Sequence, residues 1–255
     1  MRWFPIAIVA IAAAGLLAAS PASAEQFTLQ GSTTLSSRLM LPQQQAIEGL
    51  SGQKLVIVPN KSSLGIQALF EQNAQFGMIS GPLESEIKVL RKQVPNAPFD
   101  RLRAHEVART RMAFAVHPDN PVRNITIANM RRILLGEVRN WRDVGGNDVP
   151  IRMVIVREGG GVQASVESHV LDGRKIVAPD PIRVQISSQV VKIVLQEPGA
   201  LGLAQLGVIK RAHAPEMKLD DPVEQKLSLV TLGEPTSTMQ RVIDAARVIG
   251  SKTVE

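Results

Sequence analysis

The chain of 255 residues contains no cysteine and no tyrosine, and aromatic residues make up only 3% of its composition. The absence of cysteine excludes disulfides and thiol nucleophiles in any redox compartment. The scarcity of aromatic rings argues against stacking platforms of the kind that hold sugars or single-stranded nucleic acid. The formal net charge is +6, but lysine and arginine are interleaved with acidic residues along the chain. We therefore expect a mildly basic solvated surface and no nucleic-acid partner.

The residue sets that carry catalysis are also missing. There is no Gly-x-Ser-x-Gly nucleophile elbow. Glu84 and Glu86 are two positions apart, so they do not share a helix face as a carboxylate pair. The histidines are scattered without metal-ligand spacing, and we interpret them as surface or structural residues: His105, His117, His169 and His213. The sequence thus predicts neither an enzyme nor a bound metal or other cofactor.

The N-terminus has the pattern of a cleavable secretory signal peptide covering residues 1–24. Met1-Arg2 supplies a positive start, residues 6–19 are apolar, and Ala22-Ser23-Ala24 is a small-x-small cleavage signal ahead of Glu25. The alternative is a membrane anchor, but the apolar run is short for a span. We expect a mature protein located in the periplasm, soluble and not embedded in a membrane.

Strand and helix patterns alternate along the rest of the chain, which predicts an α/β fold with mainly parallel sheets. A long β-like stretch at 104–117 and a return strand near 199–204 divide the alternation into two similar halves. We predict two doubly wound α/β domains around a hinged cleft. Domain 1 comprises residues 25–108 and 206–255, and domain 2 comprises residues 109–205. Trp141 is interpreted as core or loop packing.

Three loops follow predicted strands and open predicted helices: Gly31-Ser32-Thr33-Thr34, Lys61-Ser62-Ser63-Leu64-Gly65 and Arg157-Glu158-Gly159-Gly160-Gly161. Ligands bind at this edge of open α/β sheets. Hydroxyls and amides at a helix N-terminus favour an anion, and arginine suits bidentate contact with an oxyanion. The alternative is structural, since Ser and Thr are ordinary helix caps and a glycine run is an ordinary surface turn.

Three further stretches carry a family resemblance. They are Asp119-Asn120-Pro121-Val122-Arg123-Asn124-Ile125-Thr126, the segment from Leu135-Gly136-Glu137 through Asn140-Trp141-Arg142-Asp143-Val144-Gly145-Gly146, and Glu197-Pro198-Gly199-Ala200-Leu201-Gly202. Together with the loops they resemble the substrate-binding proteins of phosphate ABC transporters. The resemblance implies a type II periplasmic-binding-protein fold, a monomer, and a ligand held between two domains for delivery to an inner-membrane ABC permease.

The same resemblance implies a set of ligand-binding residues: Ser32, Thr33, Thr34, Ser62, Ser63, Ser80, Arg157, Gly159, Gly160 and Gly161. Three departures stand out, one of which is that the third loop is one residue shorter than in some family members. The third loop continues as Gly-Gly-Gly-Val up to Val162, where the family usually has Gly-Ser-Gly-Thr, so two hydroxyl donors are absent. Gly81 follows Ser80 where the family commonly has a Ser-Asp or Ser-Arg pair. A carboxylate there would accept a hydrogen bond from a protonated oxyanion, a role that Glu158 or Glu84 would have to take over.

The sequence therefore predicts capture of a small oxyanion, most of all phosphate, for ABC-transporter uptake. The eroded third loop keeps an alternative open, in which the chain is a degenerate family member acting as a sensory or protein-interaction module without tight phosphate binding.

Overall fold

The computed structural model describes residues 24–157 and 161–253. The predicted signal peptide, apart from Ala24, lies outside the described residues, as do Glu158, Gly159 and Gly160. The strands are β1 (Gln26–Ser32), β2 (Lys54–Asn60), β3 (Phe76–Ser80), β4 (Leu102–Val116), β5 (Asn124–Ile125), β6 (Arg152–Val156), β7 (Ile182–Val184), β8 (Ala200–Gln205), β9 (Glu216–Leu219) and β10 (Glu224–Leu232).

The helices are α1 (Thr33–Leu35), α2 (Gln44–Ser51), α3 (Ser62–Phe70), α4 (Leu83–Leu90), α5 (Ile127–Leu134), α6 (Gly161–Val170), α7 (Ser187–Val194), α8 (Leu206–Arg211) and α9 (Ser237–Thr253). A π-helical turn, Ser36–Met40, extends α1. Pro42 lies in the turn between this π-helical turn and α2 and separates the two helical segments. Thr126 caps α5, because its hydroxyl accepts a hydrogen bond from the Asn129 amide at 3.2 Å.

One mixed sheet runs through the molecule in the order β2-β1-β3-β10-β4-β8-β6-β7. In the first half, β1, β2 and β3 are parallel. In the second half, β6, β7 and β8 are parallel. Between the two parallel sets lie β10 and β4, which pair with each other in the antiparallel sense. Each half is thus a small parallel sheet, as the alternating pattern predicts, and two antiparallel strands join the halves.

Both faces of each parallel set are covered by helices. In the first half, apolar side chains of α2 and α9 pack with Phe27 and Leu29 of β1 on one face. Those of α3 and α4 pack with Ile79 on the other face. The alternation of buried and partly exposed residues along β1 fits a strand whose inward side chains enter the core. This double cover holds the carboxyl ends of the strands at one edge, where the predicted loops begin.

Trp141 lies in the core of the second half, as interpreted from the sequence. Its side chain is fully buried among Phe114, Met130 and Met153. The indole Nε1 donates a hydrogen bond to the carbonyl oxygen of Gly199 at 3.0 Å. The indole thereby fastens the 141–144 turn to the loop before β8.

We expect Trp141→Ala to lower the free energy of unfolding by about 3–5 kcal/mol, because it leaves a large cavity in the core. The Gly199 carbonyl loses the indole bond but still accepts a hydrogen bond from the Arg152 amide. Urea denaturation followed by circular dichroism measures the loss. Trp141→Phe is the matched control: it keeps an aromatic ring and loses the hydrogen bond, so its cost should be clearly smaller. Equal costs for the two variants would contradict the packing argument.

The long strand β4 carries the chain from one half to the other. Its residues Leu102–Arg111 pair with β10, and Met112–Val116 pair with β8. The domain boundary predicted at 108/109 stays a prediction. It lies close to the point at which β4 changes its partner strand from β10 to β8. On the return, Leu206 and Ile209 of α8 pack with the apolar cluster around Val154 and Val190 of the second half. We therefore propose that the chain returns to the first half between β9 and β10, later than the predicted boundary at 205/206.

Candidate functional site

The predicted loops of the first half lie together at one edge of the sheet. Because β1 and β2 are parallel and Ser32 is paired with Asn60, the two strands end side by side. β3 is parallel to β1 and ends at Ser80. Ser32, Ser62 and Ser80, each predicted as a ligand residue, are all buried at this edge.

In the first loop, the hydroxyl of Ser32 accepts a hydrogen bond from the Leu35 amide at 3.2 Å and caps α1. Ser32 is therefore a helix N-cap, the structural alternative raised from the sequence, and its hydroxyl oxygen is directed at the Leu35 amide. Thr33 is exposed and Thr34 is half-buried. These two threonines are therefore the accessible hydroxyl residues of this loop, and Thr34 also lines a cavity.

The second loop is tied to the end of β3. Ser62 is the first residue of α3. Its hydroxyl accepts a hydrogen bond from the Ser80 amide at 3.4 Å. Ser63 follows on α3 and is half-buried. This bond holds two of the predicted ligand residues, Ser62 and Ser80, in contact.

A buried carboxyl group adjoins Ser62. Glu86 of α4 is buried, and burial raises the pKa of its side chain from 4.5 to about 7, although a hydrogen bond with the Ser62 hydroxyl opposes the rise. Glu84, the expected substitute acid, is instead exposed and lines another cavity. Glu158, the other expected substitute, lies outside the described residues. The carboxyl group next to the candidate site is thus Glu86, which we had not predicted.

The sequence did contain a signal for Glu86. It falls in register with Leu83, Ile87 and Leu90, at the spacing of an inward helix face. A carboxyl group at a position where the pattern calls for an apolar residue is unusual, because burying it is costly. A carboxyl group on the inward face of a helix is therefore a sequence signal for a buried carboxyl, even though Glu84 and Glu86 do not form a pair.

The third loop belongs to the second half. Arg157 follows β6, its amide donates a hydrogen bond to the carbonyl of Val184 at 2.9 Å, and its side chain is exposed. Gly159 and Gly160 lie outside the described residues. Gly161 is buried and begins α6. Val162, which stands in place of the family's threonine, packs into the apolar core of the second half.

The two halves touch where Gly161 meets Ser80. A Cβ atom built on Gly161 would lie 1.3 Å from the carbonyl oxygen of Ser80, so only glycine permits this approach. The same oxygen accepts a hydrogen bond at 2.9 Å from the side-chain amide of Gln225, a fully buried residue of β10. One predicted residue from each half, Ser80 and Gly161, is thereby brought into direct contact.

A larger cavity of about 700 Å³ lies to one side of this contact, but its chemistry does not suit an anion. Gly81 and Ser165 line it together with three carboxylates, Glu84, Glu106 and Glu224. Arg103 and Lys226 only partly offset that negative charge. We therefore place the candidate oxyanion site at the loops and not in the larger cavity.

The described residues include no group of three or more His, Asp or Glu arranged to hold a metal ion. Nor does any described helix combine the length and the apolar character needed to cross a bilayer. Two of the histidines have structural partners: His105 shares a hydrogen bond with Thr231 at 3.0 Å, and His169 lies 2.9 Å from the Asp221 carboxylate.

A family model described as the PBP superfamily domain matches residues 18–247. The phosphate-binding protein PstS of Bacillus subtilis is 25% identical over 207 residues, which cover 81% of this chain and 65% of that protein. The chain therefore spans less than two thirds of the length of that curated relative.

Solved structures agree on the fold. An ABC-type phosphate transport receptor from Vibrio cholerae superimposes with a TM-score of 0.69 at 22% identity, covering 87% of this chain and 93% of that one. PstS from Borrelia burgdorferi gives a TM-score of 0.60 at 23% identity, with 87% and 92% covered. These likenesses confirm the predicted fold class, a two-halved α/β binding-protein fold.

Proposed function

The chain belongs to the PBP superfamily, and from that premise we propose that it is a periplasmic binding protein that captures a small oxyanion, phosphate first of all. The observation that carries the proposal is the convergence of Ser62, Ser80 and Gly161 at the facing edges of the two halves. Oxyanion donors from both halves are needed if a ligand is to be enclosed between them.

The anion would be held by polar contacts from three loops. Thr33, Thr34 and Ser63 contribute amides and hydroxyls from the first half. Arg157 contributes a guanidinium that can form two parallel hydrogen bonds. Gly161 begins α6, whose N-terminus favours negative charge, and we propose that the amides of Gly159 and Gly160, which precede it in sequence, also contact the anion. Closure of the halves about β4 and β10 would remove water from these contacts and strengthen them.

The site offers fewer donors than its relatives' loops suggest. Glycine and valine stand in place of two hydroxyl residues in the third loop. Ser32 caps α1 only as an acceptor, so its hydroxyl proton is not among the missing donors. Each missing donor that leaves an anion oxygen unpaired costs about 1–3 kcal/mol. We expect phosphate affinity to be correspondingly weaker than in a site with the full set.

The remaining parts of the proposal rest on the relatives' names and on the sequence. Proteins named for phosphate binding and transport support phosphate as ligand and an inner-membrane ABC permease as partner. The N-terminal signal pattern supports export to the periplasm. We propose a monomer that acts as a receptor and not as an enzyme, and that needs no cofactor.

The experiment is calorimetric titration of the chain from Glu25 onward with phosphate and then with sulfate, after carried-over ligand has been removed. We expect micromolar or tighter binding of phosphate. Arg157→Gln should weaken it about 10- to 100-fold, since a charged hydrogen-bond pair contributes about 1.5–3 kcal/mol. Arg152→Gln, on the preceding strand with an exposed side chain, is the matched control and should leave affinity unchanged.

One observation favours a second candidate, a sensory or protein-interaction module without tight phosphate binding. It is the third loop, in which Gly160 and Val162 supply no hydroxyl. If folded protein gives no heat with phosphate or sulfate, and Arg157→Gln leaves a complex with a membrane partner intact, this second candidate replaces the first.

A further inference from the structure

A second cavity between the halves, of about 440 Å³, has the opposite character to the acidic one. It lies at the same edge of the sheet, and Thr34 of the first loop forms part of its wall. Among the described residues, no Asp or Glu lines it. The residues that do are Thr34, Ser37, Arg38, Ser187, Ser188, Gln205, Val208, Arg211 and Ala212. We call this cavity the arginine pocket.

Two guanidinium groups converge on the arginine pocket, one from each half. Arg38 lies on the π-helical turn after α1, and Arg211 ends α8. A Cβ atom built on Gly207 would lie 3.1 Å from Nη1 of Arg38 and 3.5 Å from Nη1 of Arg211. The two Nη1 atoms are therefore no further apart than the sum of these distances. Glycine at position 207 leaves the space that both groups occupy.

Neither guanidinium has a carboxylate partner among the described residues. Other arginines of the chain are paired: Arg142 lies 3.1 Å from Asp148, and Arg131 lies 3.1 Å from Asp172. Arg38 is half-buried, and its pKa is lowered by burial and by the positive charge of Arg211. Two like charges held close together without a counter-charge repel each other. A bound anion would therefore offset the repulsion between Arg38 and Arg211.

The rest of the lining also favours an anion. Ser187 and Ser188 are the first residues of α7, where helix amides carry partial positive charge. Together with Thr34 they provide three hydroxyls that can donate to an anion, while the Ser37 hydroxyl donates to the Thr34 carbonyl at 3.4 Å. The volume exceeds what one inorganic oxyanion requires and falls in the range of small-molecule sites.

We propose that the arginine pocket binds a small organic anion or condensed phosphate bearing at least two negative charges, one placed against each arginine. The arginine pocket shares Thr34 with the proposed phosphate site, but its charged groups, Arg38 and Arg211, are separate from Arg157. The proposal does not depend on the proposed phosphate function. Because Arg38 and Arg211 belong to different halves, the anion bridges them and favours their approach.

The test is titration of the chain from Glu25 with pyrophosphate and with succinate, which separate phosphate from carboxylate recognition. We expect at least one of them to bind with a dissociation constant below 1 mM (a bound of about −4 kcal/mol). Arg38→Gln and Arg211→Gln should each weaken that binding about tenfold or more. Lys210→Gln removes the same charge from α8 outside the pocket and should have no effect.

Thermal unfolding gives a second readout that does not need the ligand. In the absence of anion, Arg211→Gln should raise the melting temperature slightly, because it removes the repulsion with Arg38. If neither pyrophosphate nor succinate binds, the proposal is overturned. It is also overturned by binding that Arg157→Gln abolishes and Arg38→Gln leaves unchanged, since the probe would then occupy the loop site. Failure of inorganic phosphate to bind would overturn only the proposed function.

Discussion

Replacing Gly161 by alanine is expected to abolish tight oxyanion binding and to lower the free energy of unfolding by about 3 kcal/mol. The added Cβ would lie 1.3 Å from the oxygen and 2.5 Å from the carbon of the Ser80 carbonyl. Both are backbone atoms of β3 and cannot swing aside as a side chain would. The halves would have to separate, which would break the hydrogen bond from Gln225 to Ser80 and draw the donors of the two halves apart.

Gly49→Ala is the matched control for this substitution. A Cβ on Gly49 meets nothing within 4 Å, and the residue lies within α2. Alanine there should stabilise the protein by about 0.5–1 kcal/mol, because it is the better helix former. Urea denaturation and phosphate titration of both variants provide the measurement. If Gly161→Ala kept the affinity and stability of the parent chain, the contact between the halves would be disproved.

Glu86 is expected to make the protein less stable as the pH rises from about 4.5 to about 7. Its pKa is raised from 4.5 to about 7 in the folded state, chiefly by burial. Below both values the group is protonated in either state and has no effect. Between them the folded state keeps a proton that the unfolded state has released, so stability falls as pH rises. At about 1.4 kcal/mol per pKa unit the total is roughly 3 kcal/mol.

At acidic pH, the free energy of unfolding of Glu86→Gln should equal that of the parent chain. At pH 8 it should be higher, because the variant's stability should change little with pH between these points. Denaturation midpoints over this pH range measure the difference. Glu84→Gln, an exposed neighbour on the same helix, should leave the profile unchanged. A parent chain whose stability does not fall over this range would show that Glu86 ionises normally.

The same group should make oxyanion affinity fall through neutral pH. The Ser62 hydroxyl has one proton, and an ionised Glu86 accepts it. A protonated Glu86 can donate to Ser62 instead, which frees the serine proton for the anion. Sulfate is the suitable probe because it does not titrate in this range. Its affinity should decrease above pH 7 in the parent chain and stay constant in Glu86→Gln.

The sequence was sufficient to predict the elements that carry strong periodicity. β1, β3 and β6 lie where the apolar runs place them, and α5 begins after its threonine cap. The short elements α8 and β9 were not predicted, because six and four residues hold too little pattern. They are fixed by packing against β4, which no local signal reveals.

For the candidate site, local sequence predicted the loops but not the contacts between them. Ser80 meets Gln225 across 145 residues of chain, and that meeting is decided by the pairing of β3 with β10. Arg38 and Arg211 approach each other only because the halves fold back at one edge. The binding of an anion by the ten residues predicted as ligands stays a prediction.

The position of β10 also governs the order in which the molecule can be assembled. Residues 112–219 supply every strand of the second half in one continuous stretch, so that half can form as soon as it has been made. The sheet of the first half needs β10 between β3 and β4, although β10 is the last strand of the chain. Until it arrives, both neighbours present unpaired edges of the kind that invites aggregation. We therefore expect the N-terminal half to mature last, after the half that follows it in sequence.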